Sequence, residues 1–365
     1  MTGPSRDRSR ARFRDGHLGE TLRWSGQSRI DGRTIAIAAL GMAVPAFVGL
    51  AAGHPDAGYT VGLGAMLLAG EPATPGAEAK ERPSPIGAVA PAVLAVLVAT
   101  VIAGAPWTDA AMIALAGAAA VVSGYSRPVA IGAIRLIVYL VLSATLLDAA
   151  GGHRGWAALV FGAGALWNMA MRLMLAGAGP KDTAAAAPAR SPTPAQRRAH
   201  LRRTLRDLSG WQFPIRLVVG LSLASVLRHL WPSHHYSWIV LTVAILTQRQ
   251  VESLPVKITQ RTIGALLGVA LTWAILSNVT SPVLVGLLIC ILATAATLAR
   301  ARNYLAYATT STPVILLVLD FGKRVEPSLL TDRLVATGVG AAIVVAANLV
   351  LNFCAPAQER GRVGS

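Results

Sequence analysis

The chain has 365 residues, 54% of them hydrophobic and 14% charged, with a formal net charge of +16. A soluble domain carries about a quarter charged residues, so this composition, with a mean hydropathy of +0.55, excludes an ordinary soluble globular protein. A charge this positive could suit nucleic acid, but here the basic residues sit between long apolar runs, so their placement matters more than their total and no nucleic-acid partner is expected.

Residues 1–33 form a basic arm with eight Arg before the first apolar run. It lacks the short n-region and small-residue cleavage site of a signal peptide. It reads as a solvated cytoplasmic tail, with attraction to anionic lipid as the alternative. Apolar segments follow at roughly 34–53, 59–70, 86–104, 109–124, 129–148 and 156–177, a first membrane half of 34–177. A bilayer core about 30 Å thick needs about 20 apolar residues per helix. Only helices and closed barrels satisfy their backbone there, and these runs lack the alternation of barrel strands. A Pro/Ala-rich linker with a basic helical stretch spans 178–212. The second half, 213–353, has segments near 214–231, 236–248, 262–277, 282–299, 303–320 and 331–353, and 354–365 is a short tail. The expectation is an all-α polytopic membrane protein of about 12 transmembrane helices.

Charge placement sets the orientation. With both termini inside, the outward loops and adjoining span ends hold Arg154, Arg228, Lys323, Arg324 and Arg333, five of the 33 Lys and Arg. The positive-inside rule then places both termini in the cytoplasm of a multi-pass cell-membrane protein. "QRQVESLPVKITQ" becomes a cytoplasmic loop, read as an interfacial helix leading into the ninth span.

The halves read as parallel repeats. "GYTVGLGAMLLAGE" and "HYSWIVLTVAILTQ" occupy the second span of each, 177 residues apart, and Asn168 and Asn348 lie 180 apart in the sixth spans. Six spans per half is even, so both halves enter the membrane in the same direction, related by an axis along its normal.

Over roughly 213–353 the stretches "YSWIVLTVAILTQRQ", "QRTIGALLGVALTWAIL", "RNYLAYATTSTPVILLVLD" and "DRLVATGVGAAIVV" resemble the FUSC family of fusaric-acid-resistance and aromatic-acid-exporter proteins, a group related to plant aluminium-activated malate transporters. Ala265 stands where that family commonly has Thr, and Gln248-Arg249-Gln250 replaces its usual acidic residue. The resemblance implies transport, by secondary or channel-like efflux, of small organic anions, aromatic ones among them.

The residues themselves nominate a path. Paired short segments in the two halves of a transporter point to its binding site, which selects 59–70 and 236–248. The candidates there are Tyr59, Thr60, Gly62, Gly64, Tyr236, Ser237, Trp238, Thr242 and Thr247; ordinary tilted helices with polar ends are the alternative. Arg135, Arg172, Arg216, Arg228, Arg261 and Arg333 lie within or at the ends of spans. An intramembrane Arg normally faces a cavity or partner, and Arg135, six residues into its span, is the first choice for an anion contact. Snorkelling to headgroups is the alternative for Arg216, Arg261 and Arg172. Arg261 could gate the inner mouth, and Gly264 and Gly268 beside it form a close-packing step.

No carboxylate lies near the middle of a span. Anion exit from a negative-inside cell is downhill by about 2.3 kcal/mol per charge per 100 mV, so voltage-driven exit is favoured over tight proton antiport. Motifs for metalloproteases, phosphate loops, CxxC redox centres and nucleophile elbows are missing from the sequence. An enzyme, a metal site and a cofactor are therefore not expected. Cys290 and Cys354 read as small apolar residues. The expected partners are the bilayer, a small organic anion, and either a second copy or an efflux partner protein. The competing reading is a non-transporting membrane scaffold of an envelope or efflux assembly.

Overall fold

The computed structural model describes residues 19, 21–24, 32–69, 85–149, 153–175, 193–232, 237–247, 254–300, 302–319 and 327–354. Among them there is no strand. In chain order the helices are α1 (Gly32–Ala51), α2 (Pro55–Ala69), α3 (Pro85–Ile102), α4 (Thr108–Val122), α5 (Arg127–Ala149), α6 (Arg154–Met174), α7 (Pro194–Arg206), α8 (Leu208–Leu230), α9 (Ser237–Leu246), α10 (Leu254–Asn278), α11 (Pro282–Arg300), α12 (Tyr304–Leu319) and α13 (Pro327–Cys354). Seven of them, α1, α5, α6, α8, α10, α11 and α13, are long and apolar enough to cross a membrane.

The distribution of side-chain size follows from lipid as solvent. Val48, Leu97, Val101, Leu159, Trp273 and Val350 are exposed, while Ala92, Ala99, Ala116, Ala265, Ala293 and Ala336 are buried. An apolar exterior on this scale must be covered. In hydrocarbon, helix association depends on close packing of small residues more than on the hydrophobic effect. At the α2–α6 crossing, a Cβ on Gly164 would collide with the Val61 carbonyl and the Ala65 backbone. Where α10 meets α12, Gly264 and Gly268 face Ala308 and Thr312 across a similarly narrow gap, so the glycine step beside Arg261 is a packing surface.

The helices pack in two sets. In the first, α1 lies on α2 and α6, α2 on α6, α3 on α5 and α6, and α4 on α5; in the second, α8 lies on α9 and α13, α9 on α13, α10 on α12 and α13, and α11 on α12. Between the sets, α4 packs on α8, α11 on α1, α5 on α9, and α12 on α2.

One segment differs from its expected boundaries. The stretch read as a separate surface helix before 262 is continuous with the span, so α10 has 25 residues from Leu254 to Asn278. Its only early breaker is Pro255, at a position where the missing N–H costs nothing. In the linker, α7 starts with a reciprocal cap: Thr193 Oγ1 accepts from the Gln196 N–H, and Gln196 Oε1 accepts from the Thr193 N–H. This ties the basic helix down at its first turn.

Gly164→Ala is expected to lower the unfolding temperature of the detergent-solubilised protein, by an overpacking cost of about 1–3 kcal/mol. Gly338→Ala on α13 meets open space and should leave it unchanged. Thermal scans of the two variants side by side check this.

Candidate functional site

Arg333, on the second turn of α13, is fully buried, and its guanidinium carbon lies 3.9 Å from the centroid of the Trp238 ring at the start of α9. Its Nε, Nη1 and Nη2 all lack a hydrogen-bond partner. The indole face satisfies the charge in part, since stacking on Trp is the strongest protein cation–π contact, but it accepts none of the five N–H groups. Arg261 of α10 is 2% exposed and near enough for its charge to act on Arg333. Its Nε is also buried without a partner. Tyr304, the first residue of α12, lies beside Arg261. Arg333 stacks on Trp238, Arg261 acts on Arg333, and Tyr304 lies beside Arg261, so two cations and two aromatic rings form a buried series across four helices of the second half. An isolated buried charge is costly, and two of the same sign are costlier. Such an arrangement holds an anion well: guanidinium forks bind carboxylates bidentately with short, strong hydrogen bonds.

Aromatic and cationic groups continue from this pocket toward the first set of helices. Tyr304 and Tyr307 are 5.8 Å apart, and the Arg300 guanidinium lies 5.4 Å from the Tyr307 ring. Arg300 Nη1 donates to the Leu67 carbonyl of α2 at 2.7 Å. Three more side chains donate to that stretch of α2: Tyr139 to Gly64 O at 2.8 Å, Asn168 to Ala65 O at 3.1 Å, and Arg172 to Leu68 O at 2.8 Å. Cations near the C-terminal part of a helix are favoured by its dipole, so Arg172 and Arg300 are explained by α2.

Residues 220–347 match the family described as fusaric acid resistance protein-like. The matched stretch lies within the second half of the chain. No curated protein and no solved structure matches the chain. The match and the seven helices that are long and apolar enough to cross a membrane both point to a multi-pass membrane protein.

All four residues of the buried series lie within the matched stretch, 220–347. Of the path residues expected from sequence, Trp238 and Arg261 are brought together there; Tyr236 lies outside the described residues. Ser237 opens α9, half-buried, and Thr247 is buried just after its end. Thr242 is fully buried against the Gly340 backbone of α13. In the other half, Tyr59 packs its hydroxyl against Gly286 of α11, and Thr60 bonds the Asp56 carbonyl at 2.8 Å. Gly62 faces Met42, Gly64 faces Phe161 and Gly164, and half-buried Arg135 sits one turn before Tyr139 on α5.

The snorkelling alternative fails for three arginines. Arg261 is interior. Arg172 Nε bonds Asn168 Oδ1 at 2.8 Å. Arg216 is 5% exposed, and its Nη1 donates to Asn348 Oδ1. The physical reason is that an asparagine on the sixth helix of each half offers a closer acceptor than the headgroups. Arg333 was counted among outward-side residues and not singled out. Its signal was its place: an Arg a full turn and a half inside α13, next to buried Asp332.

Arg228 of α8 contacts both carboxylate oxygens of Asp109 on α4 at 2.9 Å, joining the second half to the first. The two side chains are 24% and 18% exposed, so solvent screening moderates the pair. A double-mutant cycle with Asp109→Asn and Arg228→Gln should give a coupling of about 1 kcal/mol, weakening as salt is raised in the thermal melts.

Proposed function

We propose that this protein is a secondary or channel-like exporter of small organic anions. The observation that carries this is Arg333, sealed from solvent with every guanidinium nitrogen unpaired and a second buried arginine nearby. A merely structural arginine in this setting would be neutralised by a carboxylate or capped by carbonyls, as Arg228, Arg172 and Arg300 are. A scaffold protein has no use for an unneutralised cation pair, which is why the exporter reading is preferred. The FUSC match and the polytopic helices support the same class. Trp238, Arg333, Arg261 and Tyr304 are the residues assigned to the anion; Tyr304, Tyr307, Arg300, Tyr139 and Arg135 line its route toward the first half.

The architecture proposed is two parallel six-helix repeats. In support, each packing contact of α8–α13 described above has its counterpart, seven helices earlier, among α1–α6. Four contacts between the halves also form two matched pairs, α4 with α8 and α11 with α1, α5 with α9 and α12 with α2, while α11 packs on α2 as well. Hydrogen bonds add direction. Arg33 at the start of α1 bonds the Arg172 carbonyl at the end of α6, Arg172 bonds α2, and Arg300 at the end of α11 bonds α2. With alternating helices, these contacts put the starts of α1 and α8 at one end. The positive-inside count supports a cytoplasmic placement of that end, and a cell membrane is the location that goes with this reading.

Exit is driven by membrane voltage in this proposal. In proteoliposomes, benzoate or fusaric acid efflux should persist without a pH gradient and follow an imposed potential; strict dependence on the gradient would replace this with proton antiport. Arg333→Gln should reduce the flux roughly tenfold or more, the worth of one charge-assisted bond, with Arg333→Lys between. Unaltered flux in a properly folded Arg333→Gln protein would refute the assignment, and no flux in the wild type would favour the scaffold.

A further inference from the structure

The N-terminal arm reaches the same region. Thr21 is 2% exposed, although Leu22, Arg23 and Trp24 beside it are exposed. Two side chains of the second half hold this segment by its backbone. Gln260 Nε2 donates to the Thr21 carbonyl at 2.9 Å, and Asn303 Nδ2 donates to the Arg23 carbonyl at 3.2 Å. The same Asn303 caps α12, its Oδ1 accepting from the Ala306 N–H at 3.0 Å.

The identity of the two anchors matters. Gln260 immediately precedes Arg261, and Asn303 immediately precedes Tyr304, so the arm is fastened beside two of the four pocket residues. Gln260 is six residues into α10, about 9 Å along the helix axis. Thr21 therefore sits within the end of the helix bundle, not across its rim. These two hydrogen bonds are neutral and go to backbone carbonyls, and Leu22, Arg23 and Trp24 keep their side chains exposed. A contact of this kind can open without unfolding anything else.

We propose that residues 21–24 are an autoinhibitory plug, which when seated occupies the inner approach to Arg261 and Tyr304 and when released opens it. This rests on the anion-exporter reading and on the cytoplasmic placement of that end.

The test uses the full chain with Cys290→Ala and Cys354→Ala, reconstituted and loaded with benzoate. Thr21→Cys with Gln260→Cys should form a disulfide on oxidation, cut the flux at least fivefold, and recover with reductant. The unlatched pair Gln260→Met with Asn303→Ser keeps the α12 cap oxygen and should raise the flux two- to fivefold. Failure of the disulfide to form, or equal flux in locked, unlatched and parent proteins, would overturn the plug while leaving the exporter standing. No flux in either the parent or the unlatched protein would overturn both.

Discussion

Hydrocarbon offers no hydrogen bonds, so each polar group carried into it must find its partner within the protein. Most of the described polar interior obeys this. Threonines bond the carbonyl four residues back, as Thr145, Thr272, Thr297 and Thr312 do. Asn168, Arg172, Tyr139 and Arg300 converge on carbonyls of one short helix. Asn348 takes Arg216. Against that background a fully buried guanidinium with three idle nitrogens is an exception, and the pocket reading follows from the exception.

The two halves solve a shared problem differently. Asn168 and Asn348 occupy corresponding places on α6 and α13. In the first half the asparagine orients an arginine of its own helix, and both lean on α2. In the second it takes an arginine from α8 and returns its amide to its own Val344 carbonyl. The first arrangement consumes its cations in holding α2 in place. The second leaves α9 secured by Gly340 packing and the Arg333–Trp238 stack, with Arg333 still able to bind something more. The proposed site lies in the half where the scaffold has not used up its donors.

Much of the fold could be read from the sequence because hydropathy is local: a run of Ala, Leu, Val and Gly identifies a helix without knowledge of its neighbours. Boundaries marked by charge were less legible. Gln260 and Arg261 looked like the edge of a span, but nothing between Leu254 and Asn278 breaks the helix, and packing draws both residues inside. Trp238 and Arg261 were nominated for a path. Arg333 was not, because an arginine near a helix end can turn either way. Its direction depends on Trp238, almost a hundred residues earlier in the chain, and no pattern around 333 records that contact. The same holds for Arg228 and Asp109, which sequence placed on one side of the membrane but could not pair.

Placing an unneutralised cation pair in lipid also constrains how such a protein can work. If an anion bound too well, the pair would become a sink, since conduction needs binding that is favourable enough to enter and weak enough to leave. Stacking on Trp238 moderates Arg333 without filling its donors, and the repulsion between Arg333 and Arg261 rises again when the anion departs. Departure is therefore opposed by the same charge that drew the anion in, and something must share the load at the next position. In the proposed route the Tyr304–Tyr307–Arg300 series takes that part. Tyrosine hydroxyls can donate to an anion without adding charge, and Arg300, already engaged with Leu67, offers a weakened cation. A graded series from a bare arginine to a half-committed one lets an anion move by small steps, which a single strong site would forbid.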